Sequence, residues 1–270
     1  MLTQQTVQTL HAMGLKGMAT AYHAQLTDPD VQGLSFDERL GLLVDREWTD
    51  RQNRRLSRRL RDAHLRITAA CVEDIDYQAA RGLDRSLIRT LAEGRWIAEH
   101  QTLLLTGPCG VGKTYLVCAL ANAACRRGFR ARYYRASTLV SDLALARADG
   151  SRPKLLGSLA RTDLLLIDDW GLATLTVSEA RDLLDVIDDR CQTSSTLIAS
   201  QLPVDSWHAV MPDPSVADAV LDRLVHGAYR INLRGESMRK LRAPAPDPNT
   251  AGNLQDNSTS QRGSRDEVAP

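Results

Sequence analysis

The sequence predicts an α/β fold in which a central parallel sheet flanked by helices follows a small all-helical N-terminal domain. Apolar residues recur at three- and four-residue steps within residues 1–66, and short apolar runs alternate with helical segments from residue 101 onward. Because the clearest runs are continuously apolar, we expect strands that are covered on both faces. The five runs are Thr102–Leu105, Arg130–Tyr134, Asp163–Ile167, Thr196–Ser200 and Ala228–Leu233.

Four segments are predicted along the chain. A stripe of apolar residues at helical spacing indicates a helical N-terminal domain over 1–66, and 67–100 form a connecting segment before the α/β domain at 101–242. Residues 243–270 contain no aromatic residue and few large apolar ones, so we expect a disordered tail. The helical stripe consists of Phe36, Leu40, Leu43, Val44 and Trp48.

Composition limits the class of protein. The 270 residues are 43% apolar, enough for one sizeable core, and the net charge of +1 indicates no global basic field. Five cysteines without a C-x-x-C pair suit a reducing compartment better than a disulfide framework or a zinc site. No signal peptide is evident, and no apolar run approaches the ~20 residues that span a bilayer. We therefore expect a cytoplasmic protein without a membrane partner.

The stretch GPCGVGKT follows the first apolar run and opens a predicted helix. Its glycines allow a tight turn with backbone N–H groups facing inward, and the helix N-terminus adds a positive dipole end. Lys113 is expected to reach the β- and γ-phosphates of a nucleotide, and the Thr114 hydroxyl to hold Mg²⁺. The predicted phosphate cradle comprises Gly107, Pro108, Cys109, Gly110, Val111, Gly112, Lys113 and Thr114.

A second motif, LLLIDDW at 164–170, is typical of a buried strand that ends in acidic residues. Ligands bind at the carboxyl edge of parallel sheets, so Asp168 is expected to hold Mg²⁺ and Asp169 to polarise the attacking water. A second acid favours a hydrolase over a small-molecule kinase. Because aspartate is one methylene shorter than the usual glutamate, we expect slow hydrolysis.

The strand predicted at 196–200 ends in the polar pair Ser200 and Gln201. Ser200 could contact the γ-phosphate or the attacking water and so report hydrolysis. A hydrogen bond that closes the strand end explains the serine equally well. Both interpretations stay open.

The segment RQNRRLSRRLRDAHLR at 51–66 is densely basic, and Asp62 is its one acid. Like charges at these helical steps repel, and arginine forks fit phosphate, so we expect contact with the DNA backbone in preference to a solvated face. Arg152 and Lys154 are a second candidate contact. The arginines expected to bind DNA here are Arg51, Arg54, Arg55, Arg58 and Arg59.

Several motifs together resemble a known family. With them the chain resembles AAA+ P-loop ATPases, and more narrowly the IstB-like transposition helpers of bacterial insertion sequences. The resemblance covers residues 15–240. The motifs are GPCGVGKT (107–114), YYRASTLVSDL (133–143), LLLIDDWG (164–171), TLIASQLPVDSWH (196–208) and LDRLVHGAYRINLRGESMRK (221–240).

The resemblance implies a bacterial ATPase with ATP and Mg²⁺ as cofactors. It also implies that the protein multimerises on duplex DNA in the nucleoid and recruits or stimulates a cognate transposase. By resemblance, Arg223 is an arginine finger that reaches the nucleotide of the adjacent subunit, which makes a head-to-tail homo-oligomer necessary. The alternative is a solvated arginine paired with Asp218 or Asp222.

Two other functions are compatible with the same motifs. A helicase loader would prefer single-stranded DNA and bind a replicative helicase. A nucleotide-gated DNA scaffold would assemble with ATP and release little phosphate.

Overall fold

A computed structural model describes residues 2–238 and 240, and the predicted tail at 243–270 lies outside them. The first part of the chain is helical. Its helices are α1 (Leu2–Ala12), α2 (Lys16–Thr27), α3 (Pro29–Gln32), α4 (Phe36–Asp62), α5 (Arg85–Ala92) and α6 (Arg95–Ala98).

Helices and strands then alternate up to residue 232. The strands are β1 (Leu103–Thr106), β2 (Ala131–Arg135), β3 (Leu164–Trp170), β4 (Ser195–Ser200) and β5 (Tyr229–Asn232). The helices between them are α7 (Lys113–Arg126), α8 (Ala136–Ala148), α9 (Arg152–Ala160), α10 (Val177–Arg190) and α11 (Pro214–Val225), with two 3₁₀ turns at Val204–Ser206 and His208–Val210.

All five strands form one parallel sheet in the order β2-β3-β4-β1-β5. Successive residues of a strand face opposite sides of a sheet. Accordingly, Leu103 and Leu105 pack into one buried cluster with α7, whereas Leu104 packs into the other with α10 and α11. Two buried faces account for the continuous apolar runs, and the predicted fold class is confirmed in the described part of the chain.

Helices α2 and α4 approach closely in the N-terminal region. A methyl group at Gly17 would lie 2.9 Å from the Asp50 Cβ and 3.0 Å from the Arg46 carbonyl oxygen. Glu47, 5% exposed, accepts a hydrogen bond from the Met18 N–H at 3.1 Å, in the first turn of α2. The carboxylate thus satisfies a helix donor that has no partner within its own helix.

The C-terminal half of α4 packs on the sheet domain. Ala63 and Leu65, just beyond the helix, belong to the same buried cluster as α7, and Leu56 and Leu60 pack against it. The Tyr133 N–H donates to the Ala63 carbonyl at 2.9 Å, which extends the pairing of edge strand β2. Helix α4 therefore connects the N-terminal helices to the sheet.

Most of the apolar stripe that predicted α4 lies on its exposed side, and its fifth member, Leu43, is half-buried. Phe36 is 76% exposed and Trp48 60%, and Leu40 and Val44 are also exposed. The contact with α2 runs through Gly17 and Glu47 instead. The spacing identified the helix, but it did not identify the face that packs. None of the helices in the described ranges has the length and apolar character needed to cross a bilayer.

Replacing Glu47 with glutamine is expected to destabilise the N-terminal helices. The change removes the charge that binds Arg51 and Arg54 at 2.7 and 3.3 Å and that faces the start of α2. Loss of charge-assisted hydrogen bonds at a buried site costs about 1–3 kcal/mol. Urea unfolding followed by circular dichroism measures the change, with exposed Asp45→Asn as the matched control. Equal midpoints for the two variants would contradict this role for Glu47.

Candidate nucleotide site

The loop between β1 and α7 has the backbone of a phosphate cradle. Gly112 precedes α7 with φ of 96°, a left-handed conformation that costs glycine little. Gly107 lies so close to the residue that follows β5 that a methyl group there would stand 2.5 Å from the Leu233 carbonyl oxygen. The loop therefore needs glycine both for its turn and for its packing against the neighbouring strand.

Lys113 is the first residue of α7 and points back into the loop. Its ammonium group donates to the carbonyl oxygens of Gly107 at 2.7 Å and Pro108 at 2.9 Å. Only 7% of the residue is exposed, and burial lowers the pKa of the Lys113 ammonium, opposed by nearby acids including Asp168. The positive charge is thus held inside the cradle, where an anion would compensate its desolvation.

Asp168 is 1% exposed, and its carboxylate receives three donors. The Thr114 hydroxyl donates to Oδ2 at 2.7 Å, the Tyr133 hydroxyl to the same oxygen at 2.9 Å, and the Asp169 N–H to Oδ1 at 2.9 Å. Burial raises the pKa of the Tyr133 phenol, assisted by the Asp168 charge, so this hydroxyl stays a donor. The contacts join α7, β2 and β3 at one carboxylate.

Asp169 adopts a strained backbone conformation. Its φ is 61°, and the pairing of β3 with β4 shifts register between Ile167 and Trp170. Such bulges turn side chains to new directions at the edges of sheets. The Asp169 carboxylate lines the cavity beside the loop, and its Oδ2 lies 3.8 Å from Nη1 of Arg66.

The oxygen atoms at this site fit Mg²⁺. The Thr114 hydroxyl and the Asp168 carboxylate are hard ligands already 2.7 Å apart. In residues 2–238 and 240, no group of three or more His, Cys, Asp or Glu could hold a metal by itself. Magnesium at nucleotide sites is held through one or two protein oxygens together with phosphates and water, which matches this donor set.

Comparison with known proteins identifies the family. The family described as IstB-like ATP binding protein matches residues 8–244. The chain belongs to the IstB-like ATP-binding family. An insertion sequence ATP-binding protein of Sinorhizobium fredii is 47% identical over 89% of this chain and 98% of its own length. The ATP-binding protein of insertion sequence IS1162 from Pseudomonas fluorescens is 50% identical over 79% of this chain and 93% of its own. The resemblance inferred from the motifs is confirmed.

Solved structures share the fold of this IstB-like chain. The crystal structure of DnaI matches with a TM-score of 0.53 and 22% identity over 61% of this chain and 91% of that one. The DnaC helicase loader matches with a TM-score of 0.51 and 18% identity over 62% and 97%. AMPPCP-bound DnaA from Aquifex aeolicus matches with a TM-score of 0.51 and 18% identity over 61% of this chain and 50% of that one. These likenesses confirm the AAA+ P-loop fold predicted from the motifs.

Ser200 of this IstB-like protein is fully buried at the end of β4. Its hydroxyl donates to the Trp170 carbonyl at 2.7 Å and accepts from the Leu202 N–H at 3.0 Å. Gln201, the next residue, lines the nucleotide cavity. These contacts favour the strand-end interpretation, and a role for Ser200 in sensing the γ-phosphate stays a prediction.

Arg223 lies on α11, far from the phosphate loop of its own chain. It lines a cavity of about 470 Å³ together with Thr102 and Ser194, which precede β1 and β4. The nucleotide site lies at the opposite, carboxyl ends of these strands. Arg223 pairs with Asp188 of α10 instead of either acid considered from the sequence, and it also donates to the Ala219 carbonyl at 2.9 Å.

Some of the arginines predicted to bind DNA are engaged within the chain. Arg51 and Arg54 pair with Glu47, which precedes the basic segment, and Arg152 pairs with Asp182 and Asp185. The other basic residues predicted to bind DNA have no carboxylate partner among the described residues. These are Arg55, Arg58 and Lys154, which are exposed, and Arg59, which is half-buried.

Sequence reasoning missed three side chains around the loop. Tyr133 binds Asp168, Arg66 lies beside Asp169, and the buried Arg81 donates to the Val111 carbonyl at 3.0 Å. Residues 66, 81 and 133 are 30 or more positions away from the residues they contact, so their proximity depends on strand order and on how the connecting segment returns to the loop. The segment YYRASTLVSDL contributed to the resemblance, yet no spacing within it indicated that Tyr133 reaches the acid.

Replacing Tyr133 with phenylalanine is expected to raise the Mg²⁺ concentration that nucleotide binding needs, without unfolding the protein. The Asp168 carboxylate loses one of its orienting donors, and such losses typically cost about tenfold or more in metal affinity. The Mg²⁺ concentration that half-saturates binding of a fluorescent ATP analogue measures the effect. Tyr22→Phe on α2 is the control. An unchanged Mg²⁺ dependence would show that Tyr133 does not contribute to metal binding.

Proposed function

We propose that this protein is an ATPase that assembles head to tail on duplex DNA and assists the transposase of its insertion sequence. One observation supports this most directly. The Thr114 hydroxyl, the Asp168 carboxylate and the Lys113 ammonium meet at one end of the sheet, whereas Arg223 lies at the other. These three groups suffice to bind ATP and Mg²⁺. Hydrolysis also needs an arginine at the γ-phosphate, and Arg223 can reach it only from a second subunit.

Within one subunit, Lys113 neutralises the β- and γ-phosphates of ATP. Thr114 and Asp168 would hold Mg²⁺, which when bound offsets charge on the transferred phosphoryl group. Asp169 orients the attacking water, because its carboxylate opens into the nucleotide cavity while its N–H is fixed on Asp168. Arg66 beside Asp169 limits the positions that this carboxylate can occupy.

Arg223 acts on the nucleotide of the adjacent subunit. Its ion pair with Asp188 is partly exposed, with 57% of the Asp188 side chain accessible, and exposed pairs contribute little to stability. Arg223 can therefore leave Asp188 and bind a phosphate at little cost in free energy. A contact that joins one edge of the sheet to the opposite edge of the next copy is heterologous, and it generates rings or open helices.

Duplex DNA and the transposase are the proposed partners in this assembly. The outward-facing arginines of α4 supply phosphate contacts that do not depend on base sequence, as action at many target sites needs. The names of the relatives place them in insertion sequences, and such an element also encodes the enzyme that moves it. Assembly of the protein in the nucleoid of a bacterial cell follows from these partners.

Two alternatives would give different results in solution. A helicase loader, a function suggested by the shared fold of DnaC, would prefer single strands to duplex DNA. A nucleotide-gated scaffold would form ATP-dependent assemblies on DNA with negligible phosphate release, even at saturating DNA. The proposed ATPase would release phosphate measurably at saturating duplex DNA, so the rate of phosphate release distinguishes it from the scaffold.

Replacing Asp169 with asparagine is expected to abolish turnover and to leave assembly on DNA intact. The amide keeps the shape of the side chain but removes the group that polarises water, and loss of such a base typically costs about 10²-fold or more. Phosphate release and sedimentation with duplex DNA measure the two properties. Asp189→Asn, an exposed change on α10, is the control. Wild-type turnover in the Asp169 variant would refute its role.

Mixing two inactive variants tests the proposed role of Arg223 in trans. The Arg223→Ala protein keeps its own Asp169, and the Asp169→Asn protein keeps its own Arg223. About a quarter of wild-type turnover is expected after random equimolar mixing, because half of the subunits have Asp169 and half of their neighbours have Arg223.

Asp188→Asn is the control for the lost ion pair of Arg223, and it should retain turnover. A mixture as inactive as its two components would show that Arg223 does not act on a neighbouring site. Failure of the wild-type protein to assemble with ATP, Mg²⁺ and duplex DNA would overturn the proposed function as a whole.

A further inference from the structure

Five arginines that are distant in sequence meet around one cleft beside edge strand β2. The cleft has a volume of about 690 Å³ and lies near the amino ends of β2 and β3, away from the nucleotide site. Two of its arginines come from α4, two from the start of β2, and one from the turn after α9. They are Arg58, Arg59, Arg130, Arg132 and Arg161, and we call this site the arginine cleft.

Positive charge exceeds negative charge in the arginine cleft. Its lining contains one acid, Asp62, and a second acid at its border, Asp163, binds Arg130 at 3.0 Å. The hydrogen bond to Asp163 raises the pKa of the Arg130 guanidinium, which stays charged, and the carboxylate compensates that charge. Arg58, Arg59 and Arg161 have no carboxylate partner within the described residues. Like charges so placed repel each other, and an anionic ligand would relieve that repulsion.

The cleft is built to present donors. The Arg132 guanidinium donates to the Asp62 carbonyl at 3.1 Å and lies over the Tyr134 ring, 5.4 Å from its centroid. A guanidinium has five N–H donors, so a fixed Arg132 retains donors for a ligand. The exposed Ser158 lines the same cleft, and hydroxyls of this kind contribute to phosphate contacts in DNA complexes.

The surroundings of the cleft indicate a polymer in preference to a small anion. Arg55 stands one turn before Arg59 on the outer surface of α4, so the positive surface continues along the helix beyond the cleft. Among the described residues, Gly128 is the one glycine that lines this cavity, in contrast to the glycine-rich loop at the nucleotide site. A continuous basic surface that enters an open cleft is the pattern expected for a sugar-phosphate backbone.

We propose that the arginine cleft grips the phosphate backbone of duplex DNA, with Arg58, Arg59, Arg132 and Arg161 as the donors. This inference rests on the proposed function, and it specifies which surface of the protein contacts the DNA. It also assigns Arg51, Arg54 and Arg152 a different role, because the first two pair with Glu47 on their own helix α4 and Arg152 joins α9 to α10 through Asp182 and Asp185. Binding in this cleft is independent of base sequence.

The test compares the Arg58→Gln/Arg161→Gln variant with the wild-type protein. Both side chains are exposed, so folding should be preserved. Fluorescence anisotropy with a labelled DNA duplex, ATP and Mg²⁺ gives affinity as a function of salt. We expect affinity to fall about tenfold or more, and the slope of log affinity against log salt to decrease by about two. Two unrelated duplex sequences should lose affinity equally.

Arg46→Gln, together with Arg181→Gln, is the matched control. It removes two exposed arginines, from α4 and α10, that lie outside the cleft. This control should bind DNA with wild-type affinity and salt slope. The Arg58→Lys/Arg161→Lys variant keeps the charge and should retain most of the slope.

Each other outcome overturns the inference in a recognisable way. Wild-type affinity and slope in the glutamine variant would exclude the cleft while leaving the proposed function intact. Loss of ATP-analogue binding without loss of DNA binding would show that the cleft holds a nucleotide. Loss confined to an RNA duplex of equal length would show an RNA site. Absence of duplex binding by the wild-type protein would instead refute the proposed function.

Discussion

The buried carboxylate of Asp168 is the constraint on which the nucleotide site depends. A charge at 1% exposure is costly unless donors surround it, and here they come from Thr114, Tyr133 and the backbone of Asp169. Satisfying that one group fixes the start of α7, edge strand β2 and the bulge of β3 relative to each other. The phosphate loop is therefore held by the same contacts that orient this carboxylate.

The parallel sheet separates the chemical groups of the protein onto two opposite edges. Phosphate loop, Asp168 and Asp169 lie where the strands end, whereas Arg223 and the arginine cleft lie near where strands begin. One copy thus presents the nucleotide cavity at one edge and Arg223 at the opposite edge. The proposed head-to-tail assembly depends on this polarity, because each added subunit would bring its Arg223 to the nucleotide of its neighbour.

Helix α4 links these edges to the N-terminal helices. Its first half bears Glu47, which fixes α2, and its second half packs Leu56 and Leu60 on the sheet domain while Arg58 and Arg59 enter the arginine cleft. Shortly after α4, Arg66 lies 3.8 Å from the carboxylate of Asp169, at the nucleotide cavity. Arg59 and Arg66 are seven positions apart, so the arginine cleft and the nucleotide cavity both border one short segment of the chain.

The sequence by itself determined the strands, the phosphate loop and the acids of LLLIDDW, because these depend on local spacing and on continuous apolar runs. It also identified α4 as a helix. Tertiary structure alone decided which face of α4 packs, since a periodic stripe shows that residues share a face and not what covers it. It likewise brought Tyr133 to Asp168, paired Arg223 with Asp188, and joined Arg161 to Arg58. Those contacts depend on strand order and on crossovers between distant segments, which local patterns do not encode.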